Sequence, residues 1–525
     1  MFCDDDTIFD VVGCLEYNQK AKLEYKTHRN YLKNMSNFKE VIPISNPDLL
    51  SKIHQTYRMQ YILDVVLPTP SITEKDMFSS LSSFIVFNKY DIIKIIQRED
   101  FLIPLFTQMK DESIGDEKLR DSIRFLKEYC TFSKSLSPET RHGFFKNLSV
   151  LGILEVLEIT LGMDNQVIKS NSIDILSDIV EYSPSIVQEF ILKQVDSSVD
   201  DDQLLINIMI EQMIYDADPE SGRAVILMGL LKLLIDPGNM SCQSKFLNMF
   251  YQHSMHFLLA PVSANTTGAN PSSEDNQTVQ LIEWVLELLT FCVLHHRHHI
   301  RCYILRKDVL GRVLVLMKSK HKFLVLDALR FMRKIVGLKD DFYYRYMITG
   351  NLFLPVVDAF QRNNGRNNLL DSAIIEMFEF IKCQDIKLLC SHLVENFGEC
   401  FDNVGYVKTF RELKTRYYQH KSKTLSVAGP SIVHQRYRRE PREMDKEEET
   451  WFSHDDDSDD DMFGTSLQPV VNKYPITLLS RKIELVNFSS SKRTRRKIEL
   501  VDYDDDDSDE EKDDFSPSKR TRFSK

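Results

Sequence analysis

Clusters of histidine and of basic residues are the parts of this chain whose spacing could support chemistry. His295, His296, His298 and His299 surround Arg297, and two of these imidazoles on one helical face could bind zinc. No carboxylate or suitably spaced thiol completes a four-ligand set in the neighbouring sequence. The pattern therefore favours a polar helix end, and we expect neither a metal site nor a cofactor.

A second cluster contains six basic residues, three before a predicted helix and three on it: Lys318, Lys320, Lys322, Arg330, Arg333 and Lys334. Offsets of three and four residues place the last three on one helical face. Such a run is either a solvated surface or a binding site for an acidic partner. We interpret it as a partner-binding site, and one candidate ligand is the acidic sequence at 455–461 or 504–514 of the same chain.

Motifs of familiar enzyme classes are absent from the sequence. It contains no G-x-x-x-x-G-K-[ST] phosphate loop, no H-E-x-x-H zinc helix and no G-x-S-x-G nucleophile turn. We therefore predict that the chain is not an enzyme.

A repeated apolar pattern indicates the architecture that positions these clusters. Residues 172–180, 328–336 and 373–381 share the same spacing of apolar side chains, and Ala328 and Ala373 are 45 residues apart. This interval matches armadillo and HEAT units of roughly 40–47 residues, which bury their apolar stripes by stacking. The predicted fold is all-α: an armadillo/HEAT-like helical-repeat solenoid followed by a disordered acidic and basic C-terminal tail. A solenoid offers a long concave surface, which favours binding over catalysis.

Composition divides the chain into three predicted parts. Residues 1–45 are a lead-in segment, 46–425 the armadillo-like domain with a loop at 261–277, and 426–525 the charged tail. The tail has too few apolar residues to offset the entropy cost of ordering, so we predict disorder.

Charge and cysteine usage narrow the environment of the protein. The net charge of −12 argues against direct nucleic-acid binding by the whole chain, and no apolar run reaches the length of a membrane span, about 18 residues. Acidic residues follow Met1 where a secretory signal needs basic ones. Nine cysteines without a C-x-x-C pair indicate reduced thiols, most of them in the core. We predict a location in nucleus and cytoplasm.

The tail carries a candidate nuclear import signal with five basic residues: Lys492, Arg493, Arg495, Arg496 and Lys497. The alternative reading is charge balance that keeps the tail soluble.

Other tail residues are candidates for modification or docking. Ser458 and Ser508 lie in acidic runs that suit acid-directed kinases, and Ser516 precedes Pro517. Trp451 and Phe452 flank an acidic run and are candidate docking anchors, because large apolar groups dominate interface energetics. An incidental position of the two aromatic residues is the alternative.

Several short sequence segments of the predicted armadillo-like domain resemble a known family. They include Lys-Ile-His-Gln-Thr-Tyr-Arg at 52–58, Leu-Pro-Thr-Pro-Ser at 67–71, Leu-Ile-Asp-Pro at 234–237, Arg-Phe-Met-Arg at 330–333 and Gly-Leu-Lys-Asp-Asp-Phe-Tyr at 337–343. Together they resemble regulatory subunit 3 of serine/threonine-protein phosphatase 4, the SMEK family, over about residues 8–425.

The resemblance implies a non-catalytic regulatory or targeting subunit, acting as a protein-binding scaffold. It also implies phosphatase 4 catalytic subunit and regulatory subunit 2 as partners. Members of the family usually begin with a pleckstrin-homology-like domain that reads peptide motifs, and Met1 here lies just before the repeat body. We therefore expect a short form without that domain, which could compete with longer paralogues. The alternative from another class is an importin-like armadillo adaptor, which the scarcity of tryptophan disfavours.

Overall fold

The structure is a computed structural model that describes residues 7–16, 28–35, 39–67, 75–98, 101–111, 114–197, 199–215, 222–273, 275–402 and 404–426. The chain divides into two units after Ser431, and all described residues belong to the first unit. Within these ranges the regular elements are helices, and no strand occurs. The predicted boundaries at 45/46 and 425/426 stay predictions, as does the disorder of the tail, which from residue 427 onward lies outside the described ranges.

The α-helices of the described ranges are, in chain order, α1 (Ile8–Leu15), α2 (His28–Asn30), α3 (Pro47–Tyr61), α4 (Lys75–Arg98), α5 (Leu102–Met109), α6 (Asp116–Phe132), α7 (Pro138–Leu151), α8 (Ile153–Leu161), α9 (Gln166–Tyr182), α10 (Pro184–Asp196), α11 (Leu205–Ile214), α12 (Arg223–Ile235), α13 (Gln243–Met249), α14 (Met255–Asn265), α15 (Asn276–His295), α16 (His298–Lys307), α17 (Val309–Val315), α18 (Lys322–Gly337), α19 (Asp341–Thr349), α20 (Leu354–Asn363), α21 (Leu369–Cys383), α22 (Lys387–Asp402) and α23 (Thr409–Ser426). Short π-helical turns extend α2, α3 and α13, at Tyr31–Met35, Ile62–Val66 and Phe250–Ser254.

Three helices form each repeat from α7 to α21. The third helices α6, α9, α12, α15, α18 and α21 contact one another in succession, and α23 packs on α21. The second helices α5, α8, α11, α14, α17 and α20 form a parallel series behind them. The first helices α10, α13, α16, α19 and α22 form another series, in which the π-helical turn after α13 carries the contact to α16. The predicted stacked helical-repeat fold is confirmed.

The three apolar segments that predicted the repeat lie on the third helices α9, α18 and α21. Ile175, Phe331 and Phe378, which occupy these segments, are completely buried. They belong to one continuous apolar core that extends from Leu49 to Tyr417. Each repeat thus buries its apolar stripe against its neighbours, as the pattern requires.

The sequence also specifies where the third helices begin. Asn165, Asp275 and Asn368 precede α9, α15 and α21, and the side-chain oxygen of each accepts a hydrogen bond from a backbone N–H of the first turn. These contacts satisfy donors that a helix leaves free at its start.

Three features of the structure extend or correct the sequence prediction. The lead-in segment contains α1, whose Ile8 and Val12 form a small separate core with α3 and α4. The predicted loop 261–277 is shorter, because α14 continues through Pro261 to Asn265 and α15 begins at Asn276. Buried Leu258, Leu259 and Val262 hold α14 in place, and this packing offsets the backbone hydrogen bond that proline cannot make.

A third feature is a break between two helices at Gly152. This glycine ends α7 and precedes α8 with φ = 96°, a left-handed conformation that favours glycine. The local apolar pattern continues across this residue, so periodicity alone does not show the break.

One described helix, α15, is long and apolar enough to cross a membrane by length and composition alone. It packs between α12 and α18 with half of its apolar window buried, which is the environment of a core helix. The eight cysteines among the described residues are free thiols, but only Cys130, Cys292 and Cys390 are buried. The expectation that most cysteines are core residues is therefore wrong for the described positions.

Candidate partner-binding groove

Hydrogen bonds from side chains to backbone carbonyl oxygens one repeat away hold the helices in register. The Gln188 amide donates to the Leu234 carbonyl oxygen over 2.8 Å, and the Asn207 amide donates to the His253 carbonyl oxygen over 3.0 Å; both pairs are 46 residues apart. Arg362 donates to the Met317 carbonyl oxygen, 45 residues away. The period of 45 residues in the sequence is therefore close to the sequence separation of groups that meet in neighbouring repeats.

Ion pairs connect neighbouring third helices along their solvent-facing side. Lys127 of α6 pairs with Asp174 of α9, and Lys232 of α12 pairs with Glu287 of α15. Further along, Arg333 Nη2 of α18 lies 2.6 Å from Glu376 Oε2 of α21. These pairs are partly exposed, so each stabilises the fold only slightly. Their main consequence is a surface of alternating charge on the third helices.

A groove of about 530 Å³ opens on this surface between the C-terminal parts of α15, α18 and α21. Its floor and edge are apolar and its rim is charged; the lining residues are Leu294, Arg330, Arg333, Lys334, Val336, Gly337, Leu338, Glu376, Met377 and Phe380. Val336 and Met377 are buried, whereas Leu294 is 45% exposed at the edge. The groove therefore offers both apolar contact area and charged side chains.

The charges around the groove are partly compensated within the fold. The Arg330 side chain pairs with Asp327 in the preceding turn, and Arg333 pairs with Glu376. Burial raises the pKa of Asp327, although the nearby Arg330 opposes this shift. Burial likewise raises the pKa of Glu283 on α15, and Asp327 and Glu287 add to the increase. Asp327 and Glu283 are thus less acidic than in water.

The structure separates the six basic residues that the sequence grouped. Arg330, Arg333 and Lys334 line the groove, as their shared helical face predicted. Lys318 instead donates to the Ala269 carbonyl oxygen over 2.9 Å, which ties it to the segment between α14 and α15. Lys322 begins α18, eleven residues before Arg333 and about 16 Å away along the helix. Lys318, Lys320 and Lys322 are thus not among the residues that line this groove.

Glu376, Leu294 and Phe380 are groove residues that the sequence interpretation missed. Glu376 is almost one repeat after Arg333, so opposite charge at the repeat interval was the available signal. Leu294 and Phe380 belong to apolar patterns that also describe core residues, and only packing shows that they reach the surface.

The histidine cluster has structural contacts. His295 stacks on Phe291 with ring centroids 4.3 Å apart, and His299 Nε2 donates to Asn248 Oδ1 over 2.9 Å. His296 forms hydrogen bonds with the Tyr251 hydroxyl and with the Ile235 carbonyl oxygen. His298 lies against the Cys302 thiol. No group of three or more potential metal ligands occurs in the part of the chain that the structure describes.

The candidate residues of the tail lie outside the described ranges. They are Trp451, Phe452, Ser458, Lys492, Arg493, Arg495, Arg496, Lys497, Ser508 and Ser516. Their roles stay predictions.

Sequence comparison assigns the family. Residues 1–419 match the family described as Phosphatase 4 regulatory subunit 3. The chain belongs to this family. The match covers the repeat body and agrees with the resemblance found in the sequence. It favours the phosphatase-related reading over the importin-like adaptor.

Two curated relatives match most of the chain. Serine/threonine-protein phosphatase 4 regulatory subunit 3 of Drosophila melanogaster is 51% identical over 466 residues, which are 86% of this chain and 47% of the relative. Protein PPP4R3C1 of Mus musculus is 45% identical over 433 residues, 80% of this chain and 53% of the relative. The chain thus spans about half the length of the curated relatives it matches. The expected absence of a pleckstrin-homology-like domain stays a prediction.

Among solved structures, a computationally designed armadillo repeat protein for modular peptide recognition shows 11% identity and a TM-score of 0.33. The similarity covers 53% of this chain and 99% of the designed protein.

The family is named for regulatory subunits, which supports the prediction that the chain is not an enzyme.

Proposed function

We propose that this chain is a non-catalytic regulatory subunit of the phosphatase 4 complex and acts as a protein-binding scaffold. The observation that carries the proposal is the family match over residues 1–419. The proposed partners are the phosphatase 4 catalytic subunit and regulatory subunit 2.

The repeat architecture suits a scaffold for physical reasons. A stable protein interface buries about 800 Å² on each partner. The third helices from α6 to α21 pack side by side in succession, so their outer faces adjoin one another along the repeats. Because each repeat contacts only its neighbours, different partners can occupy different repeats.

Reconstitution of the complex tests this function. The purified full-length chain is mixed with recombinant phosphatase 4 catalytic subunit, with and without regulatory subunit 2, and separated by size-exclusion chromatography. We expect a complex that contains the chain and the phosphatase. The catalytic subunit of a related phosphatase serves as the control. Separate elution of chain and phosphatase at micromolar concentrations, with or without regulatory subunit 2, would refute the proposal.

We further propose that the protein enters the nucleus through the basic cluster at 492–497 and that it is also present in the cytoplasm. The cluster supports this because import receptors bind exposed cationic side chains. A tagged chain with the five basic residues replaced by alanine should become cytoplasmic. Unchanged nuclear accumulation of that variant would exclude the cluster as the main signal.

A further inference from the structure

The groove between α15, α18 and α21 combines an apolar floor with a cationic rim. We propose that it binds a protein segment in which one bulky apolar side chain is followed closely by carboxylates, and that Glu376 occupies the carboxylate position until such a segment arrives. The inference does not depend on which phosphatase the chain binds, because peptide binding can be measured on the chain alone.

The size and lining of the groove define the apolar part of the ligand. Its volume of about 530 Å³ lies within the range of small-ligand sites, about 300–1,000 Å³. This is enough for one or two large side chains and too little for the face of a folded domain. Leu294 at the edge and Met377 and Phe380 on the floor supply the apolar contacts. Burial of an aromatic or long aliphatic side chain there removes apolar surface of both partners from water.

The rim defines the charge of the ligand. Lys334 is exposed and makes no ion pair or hydrogen bond within the described residues, and Arg330 extends into solvent with 65% of its side chain exposed. Among the residues that line the groove, Arg330, Arg333 and Lys334 are cationic and only Glu376 is acidic, so the lining has a net positive charge. Carboxylates therefore complement it, and the planar guanidinium groups can bind them with paired hydrogen bonds.

Glu376 resembles a ligand carboxylate in its position. Its Oε2 lies 2.6 Å from Arg333 Nη2, yet 68% of the side chain is exposed. An exposed pair of this kind stabilises a fold little, so a ligand carboxylate can replace Glu376 on Arg333 while Glu376 turns into water. Glu376 therefore competes with the ligand, and its neutralisation should increase affinity.

Fluorescence anisotropy with a labelled synthetic peptide tests the proposal on the purified full-length chain. The probe carries a tryptophan followed by three aspartates between glycine-serine spacers. Two control peptides replace the aspartates by asparagine or the tryptophan by serine. Both controls should bind more weakly than the probe, and raised salt should weaken binding of the probe.

Four variants separate this groove from general surface charge. Glu376→Gln should bind the probe about two- to fivefold more tightly, the range that corresponds to an exposed ion pair. Arg333→Gln and Leu294→Ser should each bind it at least about threefold more weakly. The matched control Asp174→Asn removes the acidic partner of Lys127 at the junction of α6 and α9 and should leave affinity unchanged.

The proposal is overturned if the asparagine peptide binds as tightly as the probe, or if Glu376→Gln fails to bind more tightly than the native chain. An equal gain in Asp174→Asn would also overturn it, because general charge would then explain the effect. Far-ultraviolet circular dichroism confirms that each variant is folded, and all four substitutions lie at exposed or partly exposed side chains.

Discussion

His296 forms a buried contact between repeats that should make the stability of the fold sensitive to acid. Its Nε2 lies 2.7 Å from the Ile235 carbonyl oxygen, which can only accept, so Nε2 carries the proton. Its Nδ1 then accepts from the Tyr251 hydroxyl, 2.8 Å away. The residue is only 3% exposed, and burial lowers its pKa to about 4. The folded protein therefore holds His296 neutral over a pH range in which the unfolded chain protonates it.

The sign and size of the effect follow from this difference in pKa. Above the unfolded value of about 6.5, His296 is neutral in both states and the folded state has its full stability. As the pH falls below 6.5, the unfolded chain binds a proton that the folded chain does not, so stability decreases until the folded pKa of about 4 is reached. A difference of one pKa unit corresponds to about 1.4 kcal/mol, so we expect a loss of about 3 kcal/mol between pH 7 and pH 4.

Fluorescence of Trp284 can report unfolding of the region around His296. Trp284 lies on α15, the helix that ends just before His296, and the chain has only one other tryptophan, Trp451. In a Trp451→Phe background, urea unfolding followed by fluorescence reports the stability of the α15 region. The free energy of unfolding is compared at pH 7 and pH 4 with and without His296→Gln. Because carboxyl groups titrate in both proteins, only the difference between the two pH profiles belongs to His296.

Parallel pH profiles would refute this reasoning. If the native chain and His296→Gln lose the same stability between pH 7 and pH 4, to within about 0.5 kcal/mol, His296 does not hold a depressed pKa. Glutamine keeps an amide that can both donate and accept, so a general loss of hydrogen bonding is not the expected cause of any difference.

Three further substitutions test the packing of the repeats. Phe378→Ala removes a completely buried ring that contacts Phe401 and Phe410, and it should destabilise α21–α23 by about 3–5 kcal/mol. We expect faster amide hydrogen exchange in these helices but not in α9. Equally faster exchange in α9 would contradict local coupling between repeats. Asn368→Ala removes the side-chain cap of α21 and should cost about 1 kcal/mol in urea unfolding, whereas replacement of exposed Asn270 by alanine should have little effect. Gly152→Ala should cost about 1–2 kcal/mol because φ is 96° there, and a neutral result would show that this left-handed turn is not required.

The repeat could be predicted from sequence because its cause is local and periodic. Apolar side chains at helical spacing on α9, α18 and α21 must be buried, and the recurrence of the pattern 45 residues later between α18 and α21 requires similar neighbours. The shared face of Arg330, Arg333 and Lys334 was predictable for the same reason, since three- and four-residue offsets specify a helix face. The site as a whole was predictable only in part, because its other walls come from different repeats.

The departures of the structure from the local sequence pattern share one physical origin. Pro261 and Gly152 each affect the backbone in a way that depends on packing: buried neighbours keep α14 helical through Pro261, whereas the chain turns at Gly152 within a continuous apolar pattern. The lysines at 318–322 are close to Arg330 in sequence, but the length of α18 separates them from the groove.

The amino-acid sequence by itself determined the all-helical repeat, its period and the family, because these depend on side-chain periodicity and on residue identities along one chain. The tertiary structure alone decided which charged side chains form ion pairs. Whether Arg333 pairs with Glu376, and whether Leu294 faces solvent or core, depends on how neighbouring repeats are rotated against each other. That rotation results from the packing of many side chains at once, and no single segment of sequence encodes it.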